Sequence, residues 1–407
     1  MDLGGHLKGE KIKILAIYHC LDGINGLNPI HIKHLVLFFS KGVSLKDWES
    51  SGILLREIKL YLELIKIGWK VSFITYGDKS DLYLKDQLKG IDIYCNEIGI
   101  PLKWYESLLF LIHRKAIKNC SLIKTNQLFG AEIAMQSAKY YNIPLVVRLG
   151  YLPSIGYKID FGVKSKKYKD SVIYERSIFQ NSHRVITTTN RISSKIVNYD
   201  IDIHKINVIP NFVNCNLFKR ISANKKVYDI IYVGRIAEEK NVKNLLEAIK
   251  ESDLRALIIG NGPLKKELIN SFEKNINQIK WVEKVSNDEL PKYMNQAKIL
   301  VLPSFYEGHP KVLIEAMSCE MTVIASNVKG NIDVIVDGTN GFLCETSITS
   351  IKETILNVLN MSEKRLNQIN ENARQFVKDH YSLDKIVKME NQVYEEIMNS
   401  NNFTNLA

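Results

Sequence analysis

The sequence predicts an α/β protein of two domains, each built on a doubly wound parallel sheet, facing each other across a cleft. Three observations lead there. Short apolar runs rich in β-branched residues recur along the chain and alternate with stretches of helical period. At 407 residues the chain is too long for one ordinary core. Glycine and polar residues gather just after the predicted strands, where open sheets bind ligands.

Hydrophobic content of 45% and charged content of 24% are those of a soluble globular protein. Six cysteines, Cys20, Cys95, Cys120, Cys215, Cys319 and Cys344, are scattered without paired spacing, which suits reduced thiols better than a disulfide framework or a zinc site. No run of about eighteen apolar residues is present to span a membrane. The start, MDLGGHLKGEKIK, lacks the apolar core of a signal peptide, so a cytoplasmic location is expected. Charge divides unevenly: residues 1–205 carry 30 Lys+Arg against 19 Asp+Glu, and residues 206–407 carry 25 against 25. The excess of +11 therefore belongs to the first half and suits an anionic partner such as acidic lipid or a lipid pyrophosphate. A nucleic acid is excluded, because no reading motif with interleaved aromatics accompanies the charge.

In chain order, 12–18 (IKILAIY) reads as the first buried strand. Residues 19–50 form an insertion with an apolar patch at 35–40, longer than a usual strand-to-helix loop. Ser50-Ser51-Gly52 opens a helix over 53–67, closed by Gly68. Further strands are predicted at 71–76, 91–95, 122–125, 145–148 and 184–188, and helices at 131–141 and 171–182. Residues 103–118 read as one amphipathic helix, apolar at Trp104, Leu108, Leu111 and Ile112 and basic at Lys103, Arg114, Lys115 and Lys118. Such a face can lie in a membrane interface, and a second basic run follows at Lys164, Lys166, Lys167 and Lys169. Attachment to an anionic membrane surface through 103–118 and 164–169 is therefore expected, peripherally and on the cytoplasmic face. Asn126 and Arg148 stand at the carboxyl ends of two predicted strands.

The second half begins with a strand at 229–233, ended by Gly234. Arg235 and Lys240 then precede a helix over 242–249. Arginine forks onto phosphate oxygens and lysine supplies a mobile point charge, so this pair suits a phosphate. Strands at 256–260, 279–282 and 299–302 and a helix at 287–294 follow. After Pro303 comes a polar loop, Glu307-Gly308-His309, a helix whose first residue is Pro310, and another buried strand at 322–325. Gly308 lets the backbone approach a ligand, and the open N–H groups of the helix start favour an anion. Glu307 and Glu315 frame that start, and carboxylates accept from paired hydroxyls, so the ligand expected is a sugar carried on phosphate. Helices at 347–359, 362–380 and 382–399, the last capped by Ser382, and a frayed tail end the chain.

The run Glu307-Gly308-His309-Pro310-Lys311-Val312-Leu313-Ile314-Glu315 has Pro303-Ser304 before it, and Ala316-Met317-Ser318-Cys319 with a buried strand after it. It resembles the Glu-x7-Glu signature of the retaining glycosyltransferases of family 4, which have the GT-B fold. The resemblance covers nearly all of 53–400 and is specific over 230–345. It implies transfer of a sugar from a nucleoside-diphosphate sugar to an acceptor hydroxyl, with retention, without a cofactor or bound metal. The product implied is a surface polysaccharide or lipid-linked glycan. The donor residues implied are Gly234, Arg235, Lys240, Glu307, Gly308, His309, Pro310, Lys311, Val312 and Glu315. Arg235 and Lys240 hold the diphosphate, Glu315 the ribose hydroxyls and Glu307 the donor sugar, so Glu307, Arg235 and Lys240 form the catalytic set. The base rests near 283–285. Gly52, Asn126 and Arg148 are the acceptor-side candidates. Many members carry a histidine near position 126; this chain has Thr125-Asn126-Gln127, and no catalytic histidine is carried over. The VIPN segment at 208–211, followed by Phe218, resembles the family's inter-domain connection. The expected limits are 1–210 for an acceptor-binding domain, 211–380 for a nucleotide-sugar-binding domain, and 381–407 for a helix crossing back. Two rivals stand beside this reading: a GT-B nucleotide-sugar epimerase, and a sugar- or lipid-binding scaffold without catalysis.

Overall fold

The structure is a computed structural model that describes residues 33–404, apart from 222–224 and 276. The strand expected at 12–18 lies outside the described residues. Seven strands form the first sheet: β1 (His34–Phe38), β2 (Lys70–Ile74), β3 (Ile91–Tyr94), β4 (Leu122–Thr125), β5 (Leu145–Leu149), β6 (Arg184–Thr187) and β7 (Ile206–Val208). Six form the second: β8 (Tyr228–Val233), β9 (Ala256–Ile259), β10 (Ile279–Val282), β11 (Ala297–Leu302), β12 (Thr322–Ser326) and β13 (Phe342–Cys344). Their orders are β3-β2-β1-β4-β5-β6-β7 and β10-β9-β8-β11-β12-β13. Neighbouring strands pair in parallel throughout, as helical crossovers require.

One expectation is corrected at the start of the first sheet. The patch at 35–40 is no part of an insertion: β1 is buried at every position and pairs with β2 on one side and β4 on the other. A central parallel strand is covered on both faces, so its apolar run shows no alternation to separate it from a packed loop. The helix Leu45–Ser50 follows directly, started by a capping box between Ser44 and Asp47. Buried Asp81 fixes that start by accepting from the backbone N–H groups of Leu45 and Lys46, both at 3.1 Å.

A second correction concerns 103–118, which is two helices, Leu102–Ile112 and Arg114–Ile117, broken at His113. The buried side of the first runs through Tyr105 and Leu109, while Trp104 and Ile112 face solvent. The Tyr105 hydroxyl, 2.7 Å from His113 Nε2, holds the break. The helix Pro153–Phe161 and the strands β7 and β13 carried no strong periodic signal and were not expected.

Two hydrophobic cores result. One joins residues between Leu35 and Phe212 to Leu383, Ile386, Val387, Val393, Tyr394 and Ile397 of the last helix, Leu383–Thr404. The other runs from Val213 to Tyr381. The chain thus crosses between cores twice, and the crossings touch: Val213 N–H donates to the Tyr381 carbonyl at 2.9 Å, and Leu383 N–H to the Val213 carbonyl at 3.0 Å. The last helix extends to Thr404, beyond the expected end of order at 399.

Candidate active site

A doubly wound sheet offers a crevice where its strand order reverses, outside the strand carboxyl ends. In the second sheet that place lies between β8 and β11. The loop after β8 carries Arg235 and the 3-10 turn Glu238–Lys240; the loop after β11 carries Ser304 and Glu307. Asn241 ties the two together: its side chain donates to the Pro303 carbonyl at 3.0 Å and the Thr346 carbonyl at 2.9 Å. Lys240 Nζ is thereby brought within 2.7 Å of Glu307 Oε1, which also accepts from Ser304 Oγ at 2.7 Å. Gly330 seals the loop from behind, since a Cβ there would fall 2.4 Å from the Glu307 carbonyl oxygen. Pro310 takes the N-cap of the helix Lys311–Ser318, and no side chain caps that end. Leu313 N–H turns back to the Pro310 carbonyl at 3.2 Å, and the N–H groups of Lys311 and Val312 are left for a ligand.

Glu315, on the buried side of this helix and 2% exposed, accepts from Asn287 Nδ2 at 3.1 Å. Burial raises its carboxyl above the ordinary value, against the pull of Arg56. That arginine comes from the other sheet's layer, on the helix Leu54–Lys66, and its Nη1 lies 3.7 Å from Glu315 Oε1. Beside it, Glu57 Oε1 accepts from Lys311 Nζ at 2.5 Å and Arg56 Nε at 3.0 Å. Burial opposes the Glu57 charge, but Lys311 and then Arg56 outweigh it and hold the carboxyl down at about 2. Lys284 Nζ adds a third contact between the halves, donating to the Glu49 carbonyl at 3.1 Å. Between these walls lies a cleft of about 1040 Å³, the size of a cofactor or substrate pocket.

Comparison with known proteins bears on this geometry. Residues 58–217 match the family described as Glycosyltransferase Family 4, and residues 215–376 the one described as Glycosyl transferases group 1. The chain belongs to this glycosyltransferase family. An uncharacterized glycosyltransferase of Methanocaldococcus jannaschii is 34% identical over 238 residues, 56% of this chain and 66% of that protein. The UDP-Gal:alpha-D-GlcNAc-diphosphoundecaprenol alpha-1,3-galactosyltransferase of Escherichia coli is 27% identical over 218 residues, 49% of this chain and 56% of that protein. The chain thus spans between about half and about two thirds of the length of these relatives. HepE of Anabaena, solved in complex with UDP-glucose, superposes with a TM-score of 0.68 at 18% identity, covering 90% of this chain and 99% of that one. The two-sheet architecture is the GT-B fold.

Of the residues expected at a donor site, Gly234, Arg235, Lys240, Glu307, Pro310, Lys311, Val312 and Glu315 line the cleft. Gly308 and His309 do not. Gly308 faces the first sheet, where a Cβ would lie 3.3 Å from the Gly150 carbonyl. His309 is buried edge-on against Tyr381, ring centroids 4.9 Å apart, with no hydrogen-bond partner at either ring nitrogen. Burial, with Arg148 and Lys311 nearby, pushes its imidazole down to about 4, so it stays neutral.

Among the acceptor-side candidates, Gly52 lines the cleft, at φ +75° and close under Lys284. Asn126 prolongs the central β1–β4 ladder through its backbone N–H to the Phe38 carbonyl at 2.9 Å, outside the cleft lining. Arg148 turns away from the cleft: its Nη2 donates to Asn211 Oδ1 at 3.0 Å, and its Nε lies 3.8 Å from Glu390 Oε1. Asn211 in turn donates to the His309 carbonyl at 2.9 Å, bracing the Glu307 loop from the chain crossing.

Sequence reasoning missed Arg56, Glu57 and Asn287. Arg56 and Glu57 are adjacent charges in an amphipathic helical run that also carries Lys59, Glu63 and Lys66, so nothing local set them apart. The chain has one Asp-x-Asp, at Asp200 and Asp202; Asp202 caps the 3-10 turn Ile203–Lys205 and Asp200 lies 3.4 Å from Arg176. Among the described residues no group of three or more His, Cys, Asp or Glu side chains gathers as a metal site.

Proposed function

We propose that this chain transfers a glycosyl group from a nucleoside-diphosphate sugar to an acceptor hydroxyl, with retention of configuration at the anomeric carbon. The observation that carries the reading is the cluster at the β8 and β11 ends: Lys240 on Glu307, Ser304 on the same oxygen, and an uncapped helix start leading to Glu315 in one cleft. The chemical demand is a diphosphate leaving beside a cationic sugar. Arg235, Lys240 and the helix start stabilise the departing charge from fixed positions, without reorganising water. Glu307, oriented by Lys240 and Ser304, accepts from the donor sugar's hydroxyls, and Glu315 from those of the ribose. The acceptor enters past Gly52, from the first sheet's side.

HepE, which shares this fold, holds UDP-glucose, and the Escherichia coli relative's acceptor is a sugar on diphosphoundecaprenol. Both support a uridine-diphosphate hexose as donor, and the Escherichia coli relative alone supports a lipid-linked saccharide as acceptor. Such an acceptor lies in a membrane and is met there at the surface; among the described residues no helix is long and apolar enough to cross one. The basic runs at 103–118 and 164–169, with exposed Trp104 and Phe161 beside them, serve as that contact. The test is transfer from labelled UDP-sugars to a short-chain lipid-diphosphate saccharide, with the product anomer read by NMR. A new α-linkage from an α-donor supports the reading. Conversion of donor without acceptor would instead mark an epimerase.

A further inference from the structure

Four charged side chains meet where the first half's helix Leu54–Lys66 touches the start of the helix Lys311–Ser318. Arg56 and Glu57 come from one side, Lys311 and Glu315 from the other. Three of these charges are locked in hydrogen bonds, with Glu57 bridging Arg56 Nε at 3.0 Å and Lys311 Nζ at 2.5 Å. The fourth, Glu315, accepts from Asn287 Nδ2 at 3.1 Å through Oε1, the oxygen that also faces Arg56, which leaves its Oε2 for a ligand hydroxyl. Between Glu315 Oε1 and Arg56 Nη1 a gap of 3.7 Å remains, longer than an N–H···O hydrogen bond. Arg56, Asn287 and Glu315 all line the cleft, so the gap is open to a ligand.

The chemistry of the gap selects what fills it. Its carboxylate can only accept and its guanidinium can only donate, whereas a hydroxyl does both. A phosphate would find two carboxylates beside two cations, with no net attraction; a neutral diol loses nothing by that balance. We infer that Arg56 forms, together with Glu315, the subsite for the ribose hydroxyls of a nucleoside diphosphate, so that the nucleotide site is completed by a residue from the opposite half of the molecule. This rests on the donor reading given above. Asn287 and Glu57 are the positioning residues that aim the two ligating groups, and nucleotide binding draws the two halves together through Arg56.

The experiment is calorimetric titration of the full chain with UDP, GDP and ADP, then with the 2′-deoxy and 3′-deoxy forms of whichever binds. The wild type should prefer the ribo form over at least one deoxy form by about tenfold or more, as for a lost hydrogen bond to a charged group. Arg56→Met should weaken the ribo form by a similar factor and leave that deoxy form within about threefold, so the preference collapses. Arg56→Lys, which keeps the charge without the fork, is read by the same ratio and covers the case in which the methionine variant does not fold. An unchanged ribo-to-deoxy ratio in a folded Arg56 variant overturns the inference and leaves the donor reading standing. Failure of the wild type to bind any of the three diphosphates overturns the donor reading, and the inference with it.

Discussion

The first six strands of the first sheet and all six of the second follow the same spatial order, yet the charged residues near their carboxyl ends are put to different use. After β8 and β11, Lys240 and Glu307 face the cleft. In the first sheet, Lys124 on β4 is 0% exposed and pairs with Glu390 of the last helix, its ammonium 5.3 Å and 5.7 Å from the rings of Tyr61 and Tyr394. Arg148 on β5 joins the same cluster, and burial pulls Lys124 down to about 8 even with Glu390 beside it. One scaffold therefore supplies two crevices, and side chains decide which becomes a site and which becomes a lock for the crossing helix.

That contrast can be broken most directly at Glu390. Glu390→Ala leaves Lys124 buried without its partner, and should lower the unfolding free energy by about 3–5 kcal/mol in urea titration. A loss below about 1 kcal/mol would mean that the last helix is held by packing alone. On the other sheet, Lys240→Ala should lower the transfer rate constant by about 10²–10³ while circular dichroism stays that of the wild type. A rate within a few-fold of wild type would remove Lys240 from the chemistry.

The seam between the sheets gives a pH test. Glu57 is held at about 2, below its ordinary value of 4.5. Between those values the unfolded chain binds the extra proton, so the stabilisation is present above pH 4.5 and is lost as pH falls toward 2. From pH 5 to pH 3 this amounts to about 2 kcal/mol, and Glu57→Gln should show a decline shallower by that amount in denaturant titrations. Parallel declines would place the stabilisation elsewhere. The smallest effect concerns the exposed basic run. Lys166→Glu with Lys167→Glu should weaken sedimentation with anionic vesicles by about 1 kcal/mol per residue at low salt, with little difference left at high salt. Equal binding by wild type and variant would shift the contact to another face.

What could be read beforehand was local. The stretch from Glu307 to Glu315 is one loop and one helix, so its spacing, its proline and its carboxylates are all visible in order. Arg235 and Lys240 are visible for the same reason. His309 looked identical to its neighbours in the chain, yet it is turned into the packing against Tyr381. Arg148 stood at a strand end as a ligand would require, and its guanidinium was taken by Asn211 and Glu390 instead.

The sequence by itself determined the two α/β halves, the strand ends that border the cleft and the residue types placed there, because apolar period and loop composition are properties of neighbouring residues. Only the tertiary structure decided that the apolar patch at 35–40 holds the central strand β1, and that Arg56 stands opposite Glu315. It alone joined Lys311 to Glu57 across 254 residues and Lys124 to Glu390 across 266. The physical reason is that parallel sheets bring together segments far apart in the chain. An ion pair formed that way needs one charge in each of two distant segments, which leaves no period and no spacing to read.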